Sequence, residues 1–114
     1  MREVDRIRGR RAFEELRRRG HRGGAGPVTV VWLPASGSRC VAFAVGRAVG
    51  SAVVRNRLRR RLRAAVEDLA PELACGAYMI GASPGAVNLT FGELRANVSR
   101  AVADVRGRTG GVGP

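Results

Sequence analysis

The chain contains no lysine, although it carries 21 basic residues against 9 acidic ones and a formal net charge of +12. Every basic residue is therefore an arginine, which we attribute to codon usage in a GC-rich genome. The chain also lacks an apolar run of transmembrane length, and its N-terminal segment lacks the apolar stretch of a secretory signal. These absences exclude a membrane-spanning protein, argue against a membrane partner, and predict a cytoplasmic location.

Residues that perform catalysis or bind metals are equally scarce. Cys40 and Cys75 lie far apart without metal-ligand spacing, and His21 is the single histidine. We find no nucleophile elbow, no phosphate-cradling loop and no pair of carboxylates placed for acid–base chemistry. The sequence therefore predicts that the protein contributes no catalytic side chain and no metal site of its own.

Arginine, in contrast, is concentrated in one segment. Residues 55–63 contain six arginines, interrupted only by Asn56, Leu58 and Leu62. On a helical projection the apolar residues of this region fall within an arc of about 120°; they are Val54, Leu58, Leu62, Ala65, Val66 and Leu69. The arginines occupy the rest of the circumference, with Arg55 at the edge of the apolar stripe. Because a face of one charge repels itself, it predicts a polyanionic partner whose phosphates the guanidinium groups bind.

Three helices are predicted along the chain. The first covers 10–19 and ends at Gly20, and the second, arginine-rich helix starts after Ser51 as N-cap and runs to about Leu69. Thr90 and Glu93 have the spacing of a capping box, which opens a third helix. The apolar stripe of this third helix comprises Leu94, Val98, Ala101, Val102 and Val105.

Strands are predicted where β-branched and aromatic residues cluster, over 28–33, 40–45 and 77–82. The glycine-rich stretch 21–26 is expected to be a turn or a weak edge strand. This order of elements predicts an α+β fold, a single-domain sandwich over residues 1–106 in which helices cover a central, mostly antiparallel sheet. Residues 107–114 are expected to form a disordered, glycine-rich tail.

The arrangement of residues around the arginine-rich segment matches a known signature. Ala52 stands three residues ahead of Arg55-Asn56-Arg57, which are followed by Leu58, Arg59-Arg60 and Leu62-Arg63. This pattern resembles the signature of the protein subunit of bacterial ribonuclease P. The resemblance extends over most of the chain, to the stretches 10–20, 30–34, 77–86 and 91–105.

The resemblance implies a subunit of an RNA-based endonuclease that removes the 5′ leader from precursor tRNA. In that family the RNA subunit carries the chemistry with bound Mg²⁺, and the protein binds both the catalytic RNA and the leader. The resemblance also implies a left-handed βαβ crossover, against the usual right-handed rule. We expect the protein to be monomeric within a 1:1 ribonucleoprotein.

Site residues follow from the resemblance position by position. The family's arginine-rich helix faces the catalytic RNA, which assigns RNA-subunit binding to Arg55, Asn56, Arg57, Arg59, Arg60, Arg61 and Arg63. The family's leader-binding cleft is formed by the N-terminal helix and the central sheet face, which assigns leader binding to Phe13, Arg17, Trp32 and Arg47.

Several positions depart from the family pattern. Arg17 replaces an aromatic residue that is common in the family, although a guanidinium plane can also stack on a base. Gly46 and Ala48 flank Arg47 where relatives often have Ser and a second basic residue, and Ser83 replaces a basic residue. These departures put individual leader or metal-site contacts in question but leave the arginine-rich helix intact.

Two other functional classes remain open from the sequence. A plain nucleic-acid-binding module, such as a ribosomal protein or an architectural DNA binder, would explain the arginine-rich helix without any share in catalysis. A helix recognised by a calmodulin-like or other acidic protein would explain the charge but neither the strands nor the aromatic residues. A basic zipper is excluded because Pro71 ends the helix and no heptads follow.

Overall fold

The computed structural model describes residues 4–110. Within this range the chain forms five strands and three α-helices. The strands are β1 (Asp5–Arg6), β2 (His21–Ala25), β3 (Val28–Pro34), β4 (Arg39–Val45) and β5 (Gly76–Ala82). The helices are α1 (Arg10–Arg19), α2 (Ala52–Leu69) and α3 (Phe91–Gly110).

The helix boundaries follow the predicted caps. The Ser51 side chain accepts a hydrogen bond from the Val54 N–H at 3.3 Å and so begins α2. Before α3, the Thr90 N–H donates to the Glu93 carboxylate at 2.8 Å, and the Glu93 N–H donates to the Thr90 hydroxyl at 3.1 Å. The Thr90 hydrogen bonds hold the pKa of the Glu93 carboxyl below its usual range.

Helix α3 continues beyond the predicted end of the domain. It extends to Gly110, so the stretch 107–110, expected to begin a disordered tail, is helical instead. Residues 111–114, the rest of the expected tail, lie outside the described residues.

The five strands form one sheet in the order β1-β4-β5-β3-β2. β1 and β5 both pair parallel with β4, whereas β3 pairs antiparallel with β5 and with β2. The α+β class is confirmed, but the sheet is evenly mixed rather than mostly antiparallel. Parallel neighbours β4 and β5 are joined through α2, which forms the βαβ crossover that the resemblance implies; its left-handedness stays a prediction.

One face of the sheet carries the main core. In register, β3, β5 and β4 place Trp32 beside Tyr78 and Tyr78 beside Val41, and all three side chains are buried. Apolar residues of α2 and α3 complete the same cluster. The predicted stripes are confirmed. Val54 of α2 is partly buried against the core, and the other members are buried: Leu58, Leu62, Ala65, Val66 and Leu69 of α2, and Leu94, Val98, Ala101, Val102 and Val105 of α3.

Helix α1 lies on the opposite face of the sheet. Leu16, the buried residue of α1, packs beside Val31, whose side chain points away from the main core. Cys40 and Ala77 belong to this second face and line a pocket together with Ala12 of α1. Helix α1 covers only part of this face. A groove lies at the β4 side of the sheet, with α1 on one side of it and α2 on the other.

Candidate RNA interface

The outward face of α2 is built as the sequence predicts. Because Leu58 and Leu62 are buried against the sheet, the residues on the opposite side of the helix point to solvent. Asn56, Arg57 and Arg60 are exposed. The structure therefore brings several of the predicted RNA-binding side chains onto one accessible helix surface.

Other arginines of α2 are held by hydrogen bonds within the protein. Arg59 donates to the Asn56 side-chain oxygen at 2.8 Å and to the Val45 carbonyl at 3.3 Å. Arg61 donates to the Leu89 carbonyl at 2.5 Å. Each guanidinium has five N–H donors, so these bonds orient the side chain and leave donors for an RNA phosphate.

Arg55 is placed differently from the rest. It is half-buried, and its Nε atom is buried without a hydrogen-bond partner among the described residues. This placement agrees with its predicted position at the edge of the apolar stripe. Arg55 is therefore less accessible than Arg57 or Arg60, and its aliphatic stem contributes to packing.

A groove of about 620 Å³ runs beside α2 along β4, at the place where the short edge strand β1 ends. Its α2 wall includes Asn56, Arg59, Arg60 and Arg63, and its other lining residues are Arg6, Ile7, Phe13, Val41, Ala42 and Phe43. Phe13 is half-buried, so part of its ring reaches the groove. The groove thus combines an aromatic ring from α1 with a row of guanidinium groups from α2.

Phe43 and Arg6 are groove residues that the sequence did not reveal. The Arg63 guanidinium lies over the Phe43 ring at 5.5 Å from its centroid, a cation–π contact, and pairs with Glu67 at 3.3 Å. Phe43 alternates with Val41 and Val45 like any core residue, so its sequence pattern gave no sign of a place in the groove. Arg6 belongs to a strand of two residues, which is too short to show a pattern.

Phe13 and Arg17 share one side of α1. With Gly9, Arg10 and Glu14 they line a shallow hollow that adjoins the groove at Phe13. Arg17 is exposed, and its carbonyl accepts a hydrogen bond from Arg22 at 3.2 Å. Arg47 is exposed in a short 3₁₀ turn, 47–49, that follows the end of β4.

Trp32 does not lie in the groove, and its assignment to leader binding is corrected. It is 7 % exposed, stacks on Tyr78 with 6.1 Å between ring centroids, and donates its Nε1–H to the Cys75 carbonyl at 3.3 Å. It belongs to the core face, on the opposite side of the sheet from α1. The alternation of Val28, Val30 and Trp32 along β3 is the sequence signal that indicates this placement.

Residues 4–110 contain no group of three or more His, Cys, Asp or Glu side chains that could hold a metal ion.

The clearest pKa change in an interior side chain is that of Tyr78, where burial raises the pKa to about 12 against the opposing effect of Arg106 and Arg39. Its hydroxyl donates to the Ala74 carbonyl at 2.5 Å. Tyr78 is thus a neutral core residue in the described structure.

The helices described in residues 4–110 include none that is both long and apolar enough to cross a membrane.

A helix with arginines on its outward face, next to a groove with an aromatic wall, offers phosphate contacts and base stacking together. The fold and the site therefore define an RNA-binding protein of the α+β class.

Comparison with known proteins gives the particular family. The sequence model of the family described as Ribonuclease P matches residues 1–106, and the chain belongs to this family. Its members are protein subunits of ribonuclease P, the endoribonuclease that matures the 5′ end of tRNA and whose RNA subunit carries catalysis. Family membership sets aside the ribosomal and acidic-partner alternatives.

Solved structures share the fold. The RNase P protein from Staphylococcus aureus has a TM-score of 0.76 at 18 % identity, covering 88 % of this chain and 95 % of that one. A mutant of the S. aureus protein with defective mRNA degradation activity has a TM-score of 0.78 at 17 % identity, covering 91 % and 86 %. The RNase P protein from Thermotoga maritima has a TM-score of 0.77 at 18 % identity, covering 86 % and 94 %. No curated protein sequence matches the chain.

Proposed function

We propose that this subunit holds RNA on two adjoining surfaces, the outward face of α2 for the RNA subunit and the groove for the leader of precursor tRNA. The observation that carries the proposal is the groove itself, in which Phe13 of α1 faces the arginines of α2 across β4. An aromatic ring beside a row of cations is the combination that holds a single strand by stacking and phosphate contact.

The α2 surface is proposed to bind the RNA subunit through the seven positions of its signature, Arg55, Asn56, Arg57, Arg59, Arg60, Arg61 and Arg63. Arg57 and Arg60 contribute most, because they are exposed. Arg59 and Arg63 line the groove as well, so they can contact a leader that lies there.

The leader is proposed to enter along α1 and to stack on Phe13. Arg17 lies on the same side of α1 and offers its charge or its guanidinium plane to the next nucleotide. Arg47 extends the basic surface at the end of β4. Trp32 has no part in this contact, since the core covers it.

Mg²⁺ is proposed to be bound mainly by the RNA subunit and to supply the hydrolytic chemistry there. The protein lowers the Mg²⁺ concentration that the reaction needs, because its arginines neutralise phosphates that would otherwise repel each other. One protein chain per RNA subunit is proposed.

The proposal is tested by separating the two surfaces with variants. Phe13→Ala should weaken holoenzyme binding of precursor tRNA by roughly five- to hundredfold, which corresponds to one lost base stack, and leave mature tRNA binding unchanged. Phe13→Tyr keeps the ring and should behave like the wild type. Arg57→Ala/Arg60→Ala should instead weaken affinity for the RNA subunit.

The matched control for the arginine variant is Arg11→Ala/Arg100→Ala, which removes the same charge from two exposed positions outside the two surfaces. If the control weakens RNA-subunit binding as much as Arg57→Ala/Arg60→Ala does, net charge explains the effect and α2 has no special role. If Phe13→Ala binds precursor and mature tRNA with the wild-type ratio, the groove does not hold the leader.

A further inference from the structure

We infer that Phe91 forms a stacking surface for an unpaired base of the RNA subunit, together with the flank of α2 that carries Arg57 and Arg61. This surface is separate from the leader groove. The inference rests on the proposed function and adds a contact to it. Phe91 is the first residue of α3 and is 41 % exposed, whereas Val53 in the first turn of α2 is 71 % exposed. Within residues 4–110 these two are the exposed large hydrophobic side chains.

Arg61 connects the arginine-rich helix to the segment that immediately precedes Phe91. Its guanidinium donates to the Leu89 carbonyl at 2.5 Å. This bond fixes the guanidinium beside Leu89, which precedes Phe91 by two residues in the chain. Arg57, one turn before Arg61, lines a small hollow together with Val87 from the 3₁₀ turn that leads into α3. The flank therefore continues from α2, across this turn, to the start of α3.

This flank is distinct from the groove. Arg57 and Arg61 line the hollow beside Val87, whereas Asn56, Arg59, Arg60 and Arg63 line the groove beside Phe13. Arg57 and Arg61 are one turn apart, so they share one side of α2. The four groove residues project from another side of the same helix. A single helix can thus contact two RNA segments at once.

The charges around Phe91 favour a base as its partner. The Glu93 carboxylate is held in the first turn of α3 by Thr90 and repels a phosphate placed there. The ring therefore receives a base, and Arg57 and Arg61 receive the phosphates of the same strand. A second copy of the chain is disfavoured, because it would bring the same arginines together on a protein of net charge +12.

The test measures the affinity of ribonuclease P RNA for the full chain at one fixed salt concentration. Phe91→Ala and Phe91→Leu should each weaken binding by roughly five- to hundredfold, since both remove the ring, and Phe91→Trp should retain it. Ser99→Ala, an exposed change further along α3, is the matched control and should bind like the wild type. Thermal unfolding of each variant verifies that it is folded.

The preference of the assembled holoenzyme for precursor over mature tRNA should stay at its wild-type value in Phe91→Ala. Phe91→Leu with wild-type affinity would overturn the inference, because apolar packing alone would then suffice. A wild-type dimer in sedimentation that Phe91→Ala dissolves would overturn it too, by showing a contact between copies. Wild-type protein that fails to bind the RNA contradicts the proposed function itself, whereas wild-type binding with an unaffected Phe91→Ala contradicts only this inference.

Discussion

At the residue scale, the arginines of α2 differ in how far the protein fixes them before RNA arrives. Arg59 and Arg61 each donate to a main-chain carbonyl, and Arg63 lies between Phe43 and Glu67. Fixing a long side chain in advance lowers the entropy that RNA binding would otherwise cost, which is about 0.5–1.5 kcal/mol for each such side chain. Arg57 and Arg60 are exposed and supply positive charge. The fixed arginines present their remaining N–H donors in defined directions.

Trp32 illustrates the opposite case, an aromatic residue that serves the core. Trp32→Ala should lower the free energy of unfolding by about 3–5 kcal/mol, since it empties a buried site between β3 and the helices. Trp32→Phe keeps most of the packing but loses the Nε1–H bond to the Cys75 carbonyl, which costs about 1 kcal/mol. Urea unfolding measures both changes.

The same Trp32→Phe variant should keep the wild-type preference for precursor over mature tRNA. A variant of wild-type stability that has lost this preference would contradict the core assignment and return Trp32 to the leader contact.

At the scale of the elements, α3 packs directly on the edge strand β2. A Cβ atom added to Gly23 would lie 2.8 Å from the Val105 nitrogen and 2.9 Å from its Cα. The next residue, Gly24, donates its N–H to the Asp104 carboxylate at 2.9 Å. The helix therefore covers the edge of the sheet, where an uncovered strand would invite pairing with another chain.

Gly23→Ala should push α3 away from β2 and lower the free energy of unfolding by about 1–3 kcal/mol, because the obstacle is helix backbone that cannot rotate aside. Gly46→Ala is the matched control, since nothing lies within 4 Å of the added Cβ and φ is −84°. Thermal unfolding that shows equal stability for the two variants would contradict the close packing of α3 on β2.

Elements with a strong local signal were predictable from the sequence. Helices α2 and α3 have continuous apolar stripes and capping residues, and both caps, at Ser51 and at Thr90 with Glu93, are confirmed. β3 and β4 show β-branched residues and alternation. These signals depend on neighbours along the chain, so one sequence is enough to read them.

Features that depend on distant residues were not predictable. β1 is two residues long and polar, and β2 contains two glycines, so neither shows an alternating pattern. The parallel pairing of β4 with β5 is set by how α2 crosses the sheet, which strand composition does not encode. The groove depends on the same assembly, which explains why Phe43 and Arg6 were missed and Trp32 was misplaced.

At the scale of the whole molecule, the chain has a net charge of +12, and the two proposed RNA-binding surfaces meet along α2. Affinity for the RNA subunit should fall with salt, with a log–log slope of about −4 to −5 if about six arginines neutralise phosphates. Titrations of labelled RNA at several salt concentrations measure the slope. A slope near −1 would contradict α2 as the main RNA contact.

This chain acts in 5′ maturation of tRNA together with a catalytic RNA. The most direct test of this role is cleavage of precursor tRNA with a labelled leader by a bacterial ribonuclease P RNA at low Mg²⁺, with and without the protein. We expect cleavage at the mature 5′ end that depends on the protein. Tight RNA binding without any stimulation of cleavage would contradict this role.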